Sequence, residues 1–439
     1  MIASILRSIL LPGRQIILAE EVEAYASETS RVAVEKYQIE KFNDIWRYCL
    51  SEVPFYRGWA DRHRLPESVE NLAELQSFPK LTKADLVERA DEVFQHGRIQ
   101  LAYSTGGSTG TPTRFPRAVS DTPSFYANTY AGRSWWGIRP FDSYVHVWGH
   151  AHLFGAESGL PGRVVKARRA IADRLANAVR LNAYDMSDSA IEGHVQATLK
   201  RNPSYIVGYT SAVFRLARHI QAHHEGATSR LTNLRGVIVT AETVTRADAD
   251  LIGKVFGVPV VTEYGAAETG VIACSRGGTW PLQVLWRSFI VSIGSDSELA
   301  VTTLTEREFP LINYAIGDRA EGGDVANGNA LTLDAVLGRS QDSVTFSKSD
   351  GQLLELSAIL PVHLLKSEPH VTAVQLRQET EGHVRVFLSA TEPLDLDSVS
   401  ATFADKLRSD HAGFDRTSVV LEQVDSPLLT KAGKQALFA

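Results

Sequence analysis

Short apolar runs that alternate with helical patterns constrain this chain more than any other feature. The cleanest unit is Gly236–Thr240, then Arg246–Phe256, then Val258–Tyr264. The outer segments are runs of β-branched residues, and the middle one carries apolar residues at helical spacing. Strand, helix and strand at this spacing favour a parallel crossover, since antiparallel neighbours need only a turn between them. Tyr144–Val147 and Tyr205–Val207 read as further buried strands. Ile171, Leu175 and Val179 fall at helical spacing, as do Phe214, Ala217 and Ile220. The alternation predicts an α/β fold, with mostly parallel sheets in a large N-terminal domain spanning residues 1–338. Its first part, residues 20–63, reads as helical, and Thr82 with Asp85 fits the N-cap of a helix through Leu86 toward Val93. After Gly338 the pattern changes. Val371–Leu376 and His383–Leu388 read as strands of a meander, Leu396–Arg408 as a helix and Ser418–Val424 as a last strand. This predicts a small α+β domain over residues 339–439.

Composition narrows the function classes. The 439 residues suffice for two to three domains, and 44% apolar with 22% charged residues excludes a disordered or fibrous chain. A net charge of −6 argues against a nucleic-acid or membrane-surface binder, which would concentrate positive charge. No uncharged apolar run reaches the roughly 18 residues that a membrane span needs. The stretch Met1–Glu20 is apolar but broken by Arg7, Pro12 and Arg14, so it reads as a helix packed on the body or on a partner, with interfacial membrane contact as the lesser option, rather than as a signal peptide. Two cysteines, Cys49 and Cys274, exclude a disulfide scaffold and a cysteine-rich metal cluster, and point to a reducing, cytoplasmic setting.

Five segments carry chemistry. Tyr103-Ser-Thr-Gly-Gly-Ser-Thr-Gly-Thr-Pro-Thr113 is almost wholly glycine, serine and threonine. Glycines let a backbone approach an anion closely, and hydroxyls add donors, so the composition is that of a phosphate-cradling loop. It is not the loop of kinases and ATPases, which requires a lysine in a fixed place. Thr262-Glu-Tyr-Gly-Ala-Ala-Glu-Thr269 directly follows a predicted strand, where open α/β sheets bind ligands. There Glu268 could hold Mg²⁺, and Tyr264 could stack on a base. In Tyr314-Ala-Ile-Gly-Asp318 the carboxylate could accept both hydroxyls of a ribose or form an Asx turn. Gly338-Arg-Ser-Gln-Asp342 is either a polar linker or an arginine site for an anion, and Lys431-Ala-Gly-Lys434, close to the C-terminus, reads by itself as a solvated lysine pair.

In this order the five segments resemble the adenylate-forming superfamily of acyl-CoA synthetases and adenylation domains, and more narrowly the phenylacetate–CoA ligase-like group with its capsule-biosynthesis relatives. The resemblance extends over nearly the whole chain and includes Pro54-Phe-Tyr-Arg57, Phe78-Pro-Lys-Leu-Thr-Lys83 and Ala241-Glu-Thr243. It implies ATP-dependent activation of a small carboxylic acid through an acyl-AMP, with Mg²⁺ as cofactor and CoA as co-substrate. An amine or a carrier-protein thiol is the alternative acceptor. Thr105, Gly106, Gly107, Ser108, Thr109 and Gly110 would wrap the triphosphate. Ala241, Glu242 and Tyr264 would line the adenine site, Asp318 would hold the ribose, and Arg339 would support it. Glu268 would bind the metal. Lys434, on a mobile C-terminal domain hinged near Arg339–Asp342, would approach the carboxylate and α-phosphate, and with Glu268 forms the catalytic pair. Nothing in the resemblance requires nucleic acid, and a homodimer is compatible with it.

Several positions depart from the pattern. Thr113 stands where lysine is usual, with Arg114 next to it. Ala267 and Ile316 replace threonines, and Leu429-Thr-Lys-Ala-Gly-Lys434 lacks the usual opening proline and basic residue. The acid pocket is less defined. His146, Trp148, His150 and His152 alternate and would share one face of a strand, as pocket lining or as packing. No nearby carboxylate or cysteine completes a metal set with them, and the cysteine-containing metal cluster of some relatives is missing. Trp148, His150, Tyr209 and Gly265 are the candidate substrate contacts, suited to a flat aromatic or polar acid.

Overall fold

The computed structural model describes residues 12–26, 30–94, 101–104, 114–148, 171–183, 188–242, 244–326, 328–339, 343–366, 368, 370–410, 413–428 and 438. The strands that position the site are β1 (Tyr144–Trp148), β2 (Tyr205–Tyr209), β3 (Gly236–Thr240), β4 (Val260–Ala266), β5 (Gly270–Ser275) and β6 (Tyr314–Ala326). The helices that support them are α1 (Arg31–Glu52), α2 (Pro54–His63), α3 (Lys83–Glu88), α4 (Thr122–Ser134), α5 (Asp188–Arg201), α6 (Thr210–His223) and α7 (Arg246–Phe256). The chain divides into two compact units. One comprises Met1–Ser143, Lys166–Ala178 and Val261–Val336, and the other Tyr144–Val165, Val179–Val260 and Leu337–Ala439. Among the described residues no helix is long and apolar enough to cross a membrane.

In the first unit the expected helical stretch is interrupted. Ser30 caps α1 by accepting from the Ala33 amide, and α1 ends at Val53, whose extended backbone (φ −105°, ψ 105°) is the conformation that Pro54 imposes on its predecessor. Proline then opens α2, where a missing N–H costs nothing. Helix α1 buries Val34, Phe42, Ile45, Trp46 and Cys49 on one face. Trp46 is the hub of an aromatic cluster with Phe42, Tyr56, Trp59 and Phe78, and its indole N–H donates to the Pro66 carbonyl at 2.8 Å. Thr82 and Asp85 form the expected capping box on α3, which ends at Glu88 before a second short helix, Ala90–Phe94.

The strands of this unit pair antiparallel. β4 joins β5 in register Glu263↔Cys274, and β5 joins Leu282–Val284. Phe289–Ile293, Glu298–Thr303 and the start of β6 form a meander. Mostly parallel sheets therefore do not extend past Ala266: connections as short as Ala267–Thr269 cannot cross over, so they reverse the chain. The second unit has the parallel arrangement. β1 pairs with β2 in register Tyr144↔Tyr205, and β2 with β3 in register Tyr205↔Gly236. α7 follows with the predicted bounds, capped by Thr245 and Asp248 and closed by Gly257 at φ 67°. Residues 171–176 are helical, but Val179 lies on the strand Ala178–Asn182, so the apparent helical spacing ran across an element boundary.

Residues 344–419 build a core of their own, with Phe346, Phe403 and Phe414 in edge-to-face contact. Val371–Thr380 and His383–Ala390 pair antiparallel as expected. The last strand, Val419–Val424, runs parallel to His383–Ala390 rather than closing a meander, because the helix Leu396–Asp410 carries the chain back between them. The packing around Trp46 yields a direct expectation: Trp46→Ala should lower unfolding free energy by about 3–5 kcal/mol in urea titrations, through lost ring contacts and the cavity left behind.

Candidate active site

The first unit assembles its site on one hairpin. α4 supports it from outside: Arg133 grips Glu263 with two hydrogen bonds of 2.6 and 3.0 Å, both side chains being largely buried. Trp136 donates to the Ser275 carbonyl at 2.8 Å. A Cβ on Gly132 would lie 2.8 Å from that of Cys274, so the glycine lets the helix close onto the Cys274 side chain. Burial pushes the Cys274 thiol well up, and the Glu263 carboxylate adds to the shift. Cys49 is raised by burial alone, so both free cysteines are inert neutral thiols.

The hairpin turns sharply. The Thr269 amide donates to the Ala266 carbonyl at 3.3 Å, and the Ala266 amide donates to the Thr269 hydroxyl at 3.1 Å. Gly265 is there for space: a Cβ would sit 2.1 Å from the Gly270 carbonyl oxygen. Glu268 occupies the turn and is 4% exposed. Its Oε1 accepts from the Tyr314 hydroxyl at 2.9 Å, with Lys83 Nζ at 3.9 Å, and its carbonyl accepts from Arg307 at 2.5 Å. A buried carboxylate needs such compensation. Four residues away on each segment, the Tyr264 hydroxyl donates to Asp318 Oδ2 at 2.8 Å. The pairs Tyr264–Asp318 and Glu268–Tyr314 therefore place the 262–269 and 314–318 segments face to face in opposite directions.

Lys83 arrives by backbone pairing. The Leu81 amide donates to the Asn313 carbonyl at 3.1 Å, the Ala315 amide donates to the Leu81 carbonyl at 2.9 Å, and the Asn313 side chain donates to the Phe78 carbonyl at 2.7 Å. Leu81 thus forms a parallel bridge to Tyr314, and Phe78–Lys83 delivers a cation beside it. Pro54–Arg57 acts at one remove, as the Tyr56 ring stacks on Phe309 at 5.3 Å and its hydroxyl donates to the Pro310 carbonyl at 2.5 Å.

The second unit gathers its candidates at the carboxyl ends of its parallel strands. The Trp148 and Tyr209 rings lie 4.3 Å apart, and His146 is 5.1 Å from Trp148. Tyr144 and Tyr205 stack one level below at 5.0 Å. Gly208 permits the close fit, since a Cβ would lie 2.6 Å from the Val147 carbonyl oxygen. After β3, Ala241 takes a left-handed backbone, φ 65°. Glu242 then uses Oε2 to accept from the Ser211 amide at 2.7 Å, at the start of α6. Its Oε1 is buried without a hydrogen-bond partner among the described residues, an acceptor left for something else.

Of the expected site residues, Tyr264, Glu268 and Asp318 gather in one unit, and Trp148, Tyr209, Ala241 and Glu242 in the other. Gly265 acts through the turn it allows. The loop Thr105, Gly106, Gly107, Ser108, Thr109, Gly110, together with Thr113, His150, His152 and Lys434, lies outside the described residues, as does the side chain of Arg339. Ile316 is buried in the apolar core of its unit, which accounts for the lost threonine there. Lys83, Arg307 and Tyr314 had no expected role. Lys83 and Tyr314 lay inside quoted motifs, but only their pairing identifies them. The donor set at Glu268, one carboxylate beside a phenol, fits Mg²⁺, which takes one or two carboxylates and fills its shell with water and substrate phosphate. Two substitutions test this geometry. Gly265→Ala should cost about 1–3 kcal/mol of stability in denaturant titrations, because the backbone opposite must move. Tyr314→Phe should cost about 1.5–3 kcal/mol by removing a hydrogen bond to a buried carboxylate.

No family model matches the chain. The CapK protein of Staphylococcus aureus is 22% identical over 381 residues, covering 82% of this chain and 80% of that protein. A phenylacetate–coenzyme A ligase of Aromatoleum evansii is 24% identical over 325 residues, covering 70% of each. The crystal structure of a 2-hydroxyisobutyryl-CoA ligase in its postadenylation state has the same fold, with a TM-score of 0.68 at 16% identity over 91% of this chain and 87% of that one. In its motif segments and in these likenesses the chain is similar to the phenylacetate–CoA ligase-like group, and it shares the fold of an adenylate-forming CoA ligase.

Proposed function

We propose that this protein activates a carboxylic acid with ATP and transfers the acyl group to CoA. In the first step a carboxylate oxygen attacks the α-phosphorus, the bond to the β-phosphate oxygen breaks, and pyrophosphate leaves. In the second a thiol sulfur attacks the acyl carbon of the mixed anhydride, the C–O bond breaks, the thiol proton goes to solvent or a base, and AMP leaves. The observation that carries this reading is the antiparallel meeting of Tyr264 with Asp318 and of Glu268 with Tyr314. Motifs some fifty residues apart, which the resemblance assigns to one nucleotide, touch through side chains of the expected types.

The roles follow from chemistry. Asp318 accepts the ribose hydroxyls, and its bond from Tyr264 orients the carboxylate. Tyr264 presents its ring to the adenine. Glu242, with an unused buried acceptor, and Ala241 serve the adenine side. Glu268 would hold Mg²⁺, which supplies charge neutralisation at the phosphates. Tyr314 and Lys83 hold that carboxylate in place and limit the cost of its burial. Thr105–Gly110 takes the triphosphate, and Arg339 supports the ribose. Lys434 offsets charge that grows between carboxylate and α-phosphate. Residues 339–439 act as a lid that removes Lys434 before thioester formation. Trp148 and Tyr209 suit a flat acid, held by ring stacking.

Pyrophosphate release with ATP and Mg²⁺ across aryl, fatty and amino acids, with and without CoA, tests the reading. One acid class should release pyrophosphate and AMP, and CoA should raise turnover. Formation of ADP overturns the adenylation reading. AMP release that requires an amine or a carrier protein, and ignores CoA, reassigns the acceptor. Asp318→Ala should weaken ATP binding by roughly 10–150-fold, the loss of about 1.5–3 kcal/mol for hydrogen bonds to a charged group. Lys434→Ala should leave ATP binding intact and cut pyrophosphate release by at least about 100-fold, in line with a lost electrostatic contact to the transition state.

A further inference from the structure

The second unit carries a cluster that the proposed reaction does not use. Glu192 lies on α5, His219 on α6, and His224 is the residue that ends α6. His224 Nε2 is 2.7 Å from Glu192 Oε2, and His219 Nε2 is 3.3 Å from the same oxygen. The three donor atoms all lie within 4.8 Å of one another. Backbone geometry produces the convergence. His219 and His224 are five residues apart, which a regular helix would place on different faces. At His224 the helix breaks, with φ −136° and ψ 40°, and the ring swings back toward α5. The carboxylate is also oriented from behind: Gln196, one turn along α5, donates to Glu192 Oε1 at 2.8 Å.

We propose that Glu192, His219 and His224 form a zinc site, independent of the nucleotide chemistry, that ties α5 to α6. Two imidazoles and one carboxylate are donors that zinc accepts readily, whereas Mg²⁺ and Ca²⁺ want oxygen alone. Tetrahedral zinc, with ligands at about 2.0–2.1 Å, sets neighbouring donors roughly 3.3 Å apart. The Glu192–His219 separation of 3.3 Å already matches that edge, and the 2.7 Å contact to His224 opens as the ion replaces the hydrogen bonds. The neutral rings would bind through Nε2 and keep their protons on Nδ1. Gln196 is the outer-shell partner that such sites use to aim a carboxylate. The Glu192 side chain is 43% exposed, so water reaches the fourth position. His223, whose ring lies 4.6 Å from that of His219, is a neighbour and not a ligand.

The test uses the full chain, stripped with chelator and titrated with Co²⁺ and then Zn²⁺. Co²⁺ should bind at one equivalent, with the intense visible bands of four-coordinate cobalt, and Zn²⁺ should bleach them. Zinc should raise the thermal midpoint of the wild type. Glu192→Gln and His224→Asn should each weaken binding by more than about 100-fold, beyond the loss of an outer-shell partner. Both variants should keep the metal-free circular dichroism spectrum and unchanged pyrophosphate release. His223→Asn should bind as the wild type does, and so should Glu268→Gln, which separates this site from the nucleotide site. Absence of saturable binding overturns the proposal. So does binding that survives Glu192→Gln and His224→Asn but disappears in His223→Asn, which would assign the ion to the His219–His223 pair.

Discussion

The buried ion pair between Arg133 and Glu263 is the contact on which the candidate site depends. Glu263 points into the protein from β4, and a lone carboxylate there would be expelled or protonated. Arg133 meets it with two parallel hydrogen bonds, and the strand is pinned to α4. Everything downstream inherits that anchor. Tyr264 is the next residue, Gly265 permits the tight return, and Glu268 sits in the turn. Removing one partner of such a pair is costly because the other is left uncompensated in a low-dielectric interior.

The same problem is solved differently at Glu268. Its carboxylate is as buried as Glu263, yet it is met by a phenol and, at longer range, by an ammonium. Lys83 lies beyond hydrogen-bond distance, so its contribution is mainly field. A fully paired carboxylate would have no reason to take a cation. One that is only partly compensated keeps that capacity while remaining tolerable to the fold. The two glutamates, five residues apart on one hairpin, thus divide into one held by a two-bond ion pair and one held by a phenol and a more distant ammonium.

Much of this was legible in the sequence where periodicity and local chemistry agree. β3, α7 and the capping box at Thr82 fall where their patterns put them, as do the helix and strands after Gly338. What escaped were relations between distant segments. Val179 extended a helical spacing by coincidence, since three apolar residues cannot mark where a helix stops. The antiparallel strands after Ala266 follow from short connections, yet their apolar content resembles that of parallel strands. Tyr314 and Lys83 were inside recognisable motifs, but their meeting with Glu268 depends on Leu81 pairing beside Asn313 and Ala315, which local sequence does not encode. Glu192, His219 and His224 were invisible for a related reason: a helix ending at His224 brings them together, and no local spacing pairs them.

Gly208 shows how the second unit divides what is fixed from what can vary. With no room for a Cβ against the Val147 carbonyl, the distance between β1 and β2 admits no adjustment by side-chain size. Trp148, which is partly exposed, and Tyr209, which is buried, stand at the ends of those strands. On the proposed reading, a lineage that changes its acid can trade the partly exposed Trp148 for a smaller or more polar side chain in a single step. Reshaping the floor beneath them would demand several coordinated changes at once. The divergence expected among descendants of this chain is thus concentrated in the rings, above a floor that all of them keep.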